Sequence, residues 1–91
     1  MPTKTRHFDP AEHLKTDEDI RFFLRDAAEG PPEEFIHALN TAARAKGMTE
    51  IARQAGVTRA SLYKSLADNG NPKFETVSKI VAALGCKLAV V

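Results

Sequence analysis

The side chains best equipped for chemistry cluster in residues 48–66. Thr58, Arg59, Ala60, Tyr63 and Lys64 bring a hydroxyl, a guanidinium, a methyl, a phenol and an ammonium onto one short stretch. On a helix those five turn outward together, with Ser61 intermediate. A helix start carrying hydroxyl, guanidinium and small residues suits the DNA major groove. Arg59 can grip a guanine bidentately or take a phosphate, and Ala60 or the Thr58 methyl can meet a thymine methyl. Tyr63 and Lys64, a turn further on, can reach bases or backbone. Thr49, expected to cap the preceding helix, would aim free N–H groups at a phosphate. Lys73, just after the turn at 71–72, is a further candidate for a phosphate. This is recognition chemistry, with no bond made or broken.

Such a face exists only if other residues hold it outward. Ala52 is small enough for a second helix to cross close by, and four residues later Gly56 accepts a positive φ without steric cost. Val57 and Leu62 then pin the second helix to the first, Ile51 and Ala55 complete the inward face, and Thr58 is the natural N-cap. The spacing predicts helices over 49–54 and 58–66 in a helix-turn-helix. Ala-x-x-x-Gly alone is weak; the ordered apolar set, the capping threonine and the flanking helices make it specific.

The rest of the chain reads as support. Asp9 as N-cap, Pro10 at the first helical position and Glu12 three residues after the cap predict one helical turn. Thr16 or Asp17 opens a longer helix, with Asp17, Glu18 and Asp19 where the helix dipole favours negative charge. Ile20, Phe23, Leu24, Ala27 and Ala28 mark its buried face. Gly30-Pro31-Pro32 ends that helix and starts the next, over 32–46, with Phe35, Ile36, Leu39, Ala42 and Ala43 inward and Gly47 as its stop. Asp68-Asn69-Gly70-Asn71-Pro72 is a turn by composition. A last helix over 72–84 places Phe74, Val77, Ile80, Val81 and Leu84 on one face. Residues 86–91 are β-prone and predict a short strand. The organisation is one all-α domain over 8–91 of about five helices, behind a flexible segment over 1–7. Within it, 8–30 forms an N-terminal helical segment, 32–85 the DNA-binding core and 86–91 an apolar tail.

Composition narrows the class. Ninety-one residues make one small core, and 43% hydrophobic with 27% charged is ordinary globular composition. No apolar run approaches the ~18–20 residues that cross a bilayer. The polar start shows no signal peptide, and the single cysteine, Cys86, fits a reducing cytoplasm. Net charge is only +1, yet residues 1–31 carry −2 and residues 49–73 carry +2. The basic excess falls on the recognition stretch.

Other chemistries find no support. His7, His13 and His37 lack metal-ligand spacing, so no metal or cofactor is expected. Cys86 reads as a small buried hydrophobe. Ser61 and Ser65 have no histidine in the same unit, and no glycine-rich phosphate loop exists, so the chain is not expected to be an enzyme. Phe22 lies beside Phe23 and outside the buried face; it marks either a partner site or the core edge against the Phe8 segment.

As an ordered series, these residues resemble the short HigA-type addiction-module antidotes (antitoxins) of the Xre, lambda-repressor-like group. The resemblance runs from Phe8 onward. It is carried by Phe8-Asp9-Pro10-Ala11-Glu12-His13-Leu14, Asp17-Glu18-Asp19-Ile20, Gly47-Met48-Thr49-Glu50-Ile51-Ala52-Arg53, Thr58 to Leu66, Gly70 to Val77, and Ala83 to Leu88. It implies a lambda-repressor-like helix-turn-helix bundle and two roles. One is neutralising a small, basic RelE/ParE-superfamily toxin. The other is repressing its own operon by binding palindromic double-stranded operator DNA as a dimer. By position the operator readers would be Thr58, Arg59, Ala60, Tyr63 and Lys64. The acidic first third, with Phe8, Asp17, Glu18, Asp19 and exposed Phe22, is the expected toxin face, since opposite charges steer association. A two-fold dimer is expected because one recognition helix buries too little to select an operator, and the tail over 88–91 with exposed parts of the last helix is its expected surface. Two alternatives stay open: a repressor without a toxin, and a protein-interaction module that does not touch DNA.

Overall fold

The computed structural model describes residues 9–67 and 70–89. The expected flexible segment, Phe8, and the last two residues of the tail lie outside them. The described residues form a 3-10 turn (Pro10–His13) and five helices: α1 (Asp17–Ala27), α2 (Pro32–Lys46), α3 (Met48–Ala55), α4 (Arg59–Ser65) and α5 (Phe74–Ala83). The architecture is all-helical.

The starts of the 3-10 turn, α1 and α4 follow from side-chain caps. Asp9 Oδ1 accepts from the Ala11 amide at 3.1 Å, with Pro10 at the first helical position, where a missing N–H costs nothing. Thr16 and Asp19 form a reciprocal capping box: Thr16 Oγ1 accepts from the Asp19 amide at 3.0 Å, and Asp19 Oδ2 accepts from the Thr16 amide at 3.1 Å. α2 opens on Pro31-Pro32 with no side-chain cap, its first-turn Glu33 and Glu34 facing the positive end of the dipole.

α1 packs on α2, α2 on α3, and α3 on both α4 and α5. The largest fully buried side chains are Leu39, Ile51, Leu62, Leu66, Ile80, Leu84 and Thr41. Alanines 38, 42 and 43 on α2 are also buried, letting neighbouring backbones approach closely. The polar Thr41 is satisfied within its own helix, donating to the His37 carbonyl at 3.2 Å. α4 spans only seven residues, too few to hold as an isolated helix. Burial of Leu62 and Leu66 against the core supplies the stability, at about 1.5–3 kcal/mol for each side chain.

Four expectations change. Ala28, assigned to the buried face of α1, is exposed, because the helix ends at Ala27 and Ala28 is its C-cap. Phe74, assigned to the core, is 75% exposed. It is the first residue of α5, where Cα–Cβ bonds tilt toward the N-terminus and carry the ring past the helix end. Residues 86–89 form no strand, and no strand exists among the described residues to supply a ladder. Thr49 is not a cap: α3 begins one residue earlier, with Gly47 at the N-cap. No helix among the described residues is long and apolar enough to cross a membrane.

Candidate nucleic-acid interface

Met48, Ile51, Ala52 and Ala55 are buried on α3, which turns Thr49, Glu50, Arg53 and Gln54 outward. The exit from α3 is a Schellman motif. Gly56 sits in the left-handed region at φ 76°, its amide reaches the Arg53 carbonyl at 3.2 Å, and the Val57 amide reaches the Ala52 carbonyl at 3.0 Å. This folds Val57 back onto the core and launches α4 two residues later. Thr58 caps α4 as expected, its hydroxyl accepting from the Ser61 amide at 3.0 Å. With Leu62 and Leu66 inward, Arg59, Ala60, Ser61, Tyr63 and Lys64 are exposed.

The structure draws three of the expected residues together. Arg59 Nη1 donates to Thr49 Oγ1 at 3.3 Å and Nη2 donates to Tyr63 Oη at 3.3 Å. The same guanidinium lies 5.5 Å from the Tyr63 ring centroid, a cation–π contact. Arg59 is thus steered from both sides, by the first turn of α3 and by the next turn of its own helix. Both hydrogen bonds are long and exposed, so they bias the guanidinium without locking it. Thr49 loses its predicted role as a cap and gains one as a partner of Arg59. The Thr58 hydroxyl is occupied as an acceptor, which leaves its O–H and methyl for an outside ligand.

Lys73 is exposed at the N-cap of α5. Its position depends on Gly70, whose amide donates to the Ala67 carbonyl at 2.8 Å. A Cβ on Gly70 would stand 2.6 Å from the Ser65 carbonyl oxygen and 2.7 Å from that of Lys64. The chain leaving α4 presses against the end of that helix, and Lys64 shares a groove with Gly70, Asn71 and Pro72 just ahead of Lys73.

A charged group on α3 escaped the sequence reading. Glu50 accepts from Arg53 Nε at 3.2 Å, from Arg53 Nη2, and from Gln54 Nε2 at 2.7 Å. Hydrogen bonds from Arg53 first, then Gln54, hold the Glu50 carboxyl below its ordinary range, and Glu50 raises Arg53 in turn. The i,i+3 and i,i+4 spacings were the available signal.

The residues expected to face a toxin divide. Asp17 is ion-paired with Lys46, which lowers its pKa. Asp19 is held low by the backbone amides of Lys15 and Thr16, within the capping box. Glu18 is exposed, and Phe22 is 61% exposed with the Arg25 guanidinium 5.9 Å from its ring. Among the described residues no group of three His, Cys, Asp or Glu is arranged to hold a metal.

Comparison with known proteins defines the class. The chain belongs to the family described as "Probable addiction module antidote protein", whose profile matches residues 4–91. An antidote implies a toxin as its partner. The chain is also similar to a protein of Haemophilus influenzae named only "Uncharacterized protein", with 42% identity over 91 residues that cover 99% of this chain and 94% of that one. No solved structure matches it.

Proposed function

We propose that this protein is the HigA-type antitoxin of a type II toxin-antitoxin module, with no enzymatic activity of its own, acting in the cytoplasm. In this reading it neutralises a small basic toxin of the RelE/ParE superfamily and, as a dimer, represses its own operon by binding operator DNA. Residues 48–66 act as an Xre-type, lambda-repressor-like helix-turn-helix, with α4 in the major groove. Thr58, Arg59, Ala60, Tyr63 and Lys64 face the bases or their backbone, while Lys73 takes a phosphate. The antidote role rests on family membership. The DNA role rests chiefly on one observation: an exposed arginine on the first turn of α4, held between Thr49 and Tyr63. A guanidinium on the first turn of the second helix is where a helix-turn-helix meets base edges, and salt dependence separates this reading from a protein-interaction module.

The toxin-facing set enters in reduced form. Asp17 is offset by Lys46, whereas Asp19 keeps its negative charge although its oxygens accept from backbone amides, so electrostatic steering from that cluster comes from Glu18 and Asp19. Two measurements test the reading. Fluorescence anisotropy on DNA from upstream of the protein's own gene should show affinity falling with a log–log salt slope near −0.9 per phosphate neutralised. Salt-insensitive or absent binding would remove the repressor arm. Affinity capture of the tagged chain from its native cells should return a stoichiometric small basic protein that arrests growth when expressed alone. A chain that binds DNA but returns no such partner would be a plain repressor.

A further inference from the structure

α1 leaves one face without a partner. Ile20 and Leu24 are buried, and Phe23 and Ala27 pack on the core, so the opposite side looks outward. There Glu18, Phe22 and Arg25 follow one another at spacings of four and three, which puts them on a single stripe. Phe22 is the exposed apolar centre of that stripe, with a carboxylate one turn before it and a guanidinium one turn after. Beside the stripe runs a groove of about 690 Å³ between α1, α2 and the residues that follow α5. Leu24, Phe35, Val81, Cys86 and the 39% exposed Leu88 give it an apolar floor. The charged residues Arg21, Arg25, Glu29 and Lys87 also line it.

We propose that this face pairs with the same face of a second copy of the chain, α1 against α1 in antiparallel orientation about a two-fold axis beside Phe22. The charge pattern selects both the occupant and the orientation. An antiparallel pair centred on Phe22 sets Glu18 of one copy against Arg25 of the other, twice, with the two Phe22 rings between. A parallel pair would set Glu18 on Glu18 and Arg25 on Arg25. The stripe is complementary to itself under a two-fold operation, the condition for a closed, isologous dimer. Arg25, which stands over the Phe22 ring, also lines the groove, and Leu88 adds apolar surface there, so the tail assists the dimer without forming a strand. This surface shares no residue with the Arg59 cluster, and the inference does not depend on the DNA reading.

Charge exchange provides the test, read by sedimentation velocity of the full chain without toxin or DNA. The wild type is expected to dimerise at micromolar concentration, and Phe22→Ala to weaken dimerisation at least about tenfold. Glu18→Arg alone and Arg25→Glu alone each place like charges across the axis and should both yield monomers. The double variant E18R/R25E should recover the dimer, as should a one-to-one mixture of the two single variants, because each restores opposite charges. Helical circular dichroism matching the wild type separates lost pairing from lost fold, and Phe22, being exposed, is removable without opening the core. A monomeric wild type, unchanged masses in the single variants, or no recovery on exchange would overturn the proposal. A Phe22→Ala protein that stays dimeric but binds the toxin less tightly would overturn it too, assigning the face to the toxin. None of these failures touches the antidote reading, which rests on family membership and is tested by capture of the toxin.

Discussion

Arg59 shows how much of the proposed recognition depends on placing one side chain. A free arginine loses considerable rotamer entropy when it settles on a base or phosphate, and contacts that bias it beforehand reduce that loss. Thr49 and Tyr63 supply such contacts here. Replacing Arg59 with Ala should cost about 1–3 kcal/mol of operator affinity, with selectivity relaxed at one base position if it reads a base. An equal loss on every sequence would make it a backbone clamp; anisotropy against a panel of single-base operator variants separates the two. Thr49→Val and Tyr63→Phe each remove one long hydrogen bond and should weaken DNA binding less, by roughly two- to fivefold, with thermal stability nearly unchanged. The outward set on α4 was legible because helical periodicity alone fixes which residues face away from Leu62. The Thr49–Arg59 contact was not, because it joins two helices through a turn whose geometry periodicity does not describe.

Among the elements, the short α3–α4 pair depends on backbone geometry more than on helix propensity. Thr58→Ala removes the α4 cap and should destabilise the fold by about 0.5–2 kcal/mol, measured by denaturant titration. Gly56→Ala forces a Cβ into the left-handed region and should cost about 1–2 kcal/mol, although open space surrounds that position. Gly70→Ala differs in kind. Its φ is unexceptional, but the new Cβ would collide with carbonyl oxygens of Lys64 and Ser65, backbone atoms that cannot swing aside. The loop must move, and an overpacking cost of about 1–3 kcal/mol is expected together with weaker DNA binding as Lys73 shifts. Gly56 could be recognised from sequence because a tight turn after Ala52 demands a residue tolerant of positive φ. The demand on Gly70 comes from a close approach that arises only after α4 has docked.

Across the whole molecule, two ion pairs fasten the N-terminal unit to the second half of α2. Arg44 reaches Asp9 at 2.9 Å, and Lys46 pairs with Asp17. Asp9, Asp17 and Asp19 all titrate below their ordinary value, held there respectively by Arg44, by Lys46 and by the Lys15 and Thr16 amides. A carboxylate whose folded pKa lies below its unfolded one stabilises the fold fully above the unfolded value of about 3.9, and that contribution disappears as pH falls through the folded value. Thermal stability should therefore be flat in this respect at neutral pH and drop below about pH 4. Lys46→Ala removes the principal cause at Asp17, so it should lower stability slightly at pH 7, leave the acid end unchanged and shrink the acid drop by that same small amount, since exposed ion pairs contribute little. Melting curves from pH 7 to pH 3 would check both statements.

Sequence periodicity and capping chemistry by themselves determined the helical class, the starts of the 3-10 turn, α1, α2 and α4, and the face of α4 that looks outward. These are local properties: a cap acts within three residues, and the inward stripe of a helix follows from its 3.6-residue repeat. Tertiary structure decided the rest. It exposed Phe74 at the helix end, moved Thr49 from cap to partner of Arg59, and spent Asp17 and Asp19 on contacts within the chain. It also left the residues after α5 without a strand to pair with, and set Phe22 beside a groove made by three separate segments. Each outcome depends on which surfaces meet when the helices pack, and residues distant in sequence settle that through close-packed contact.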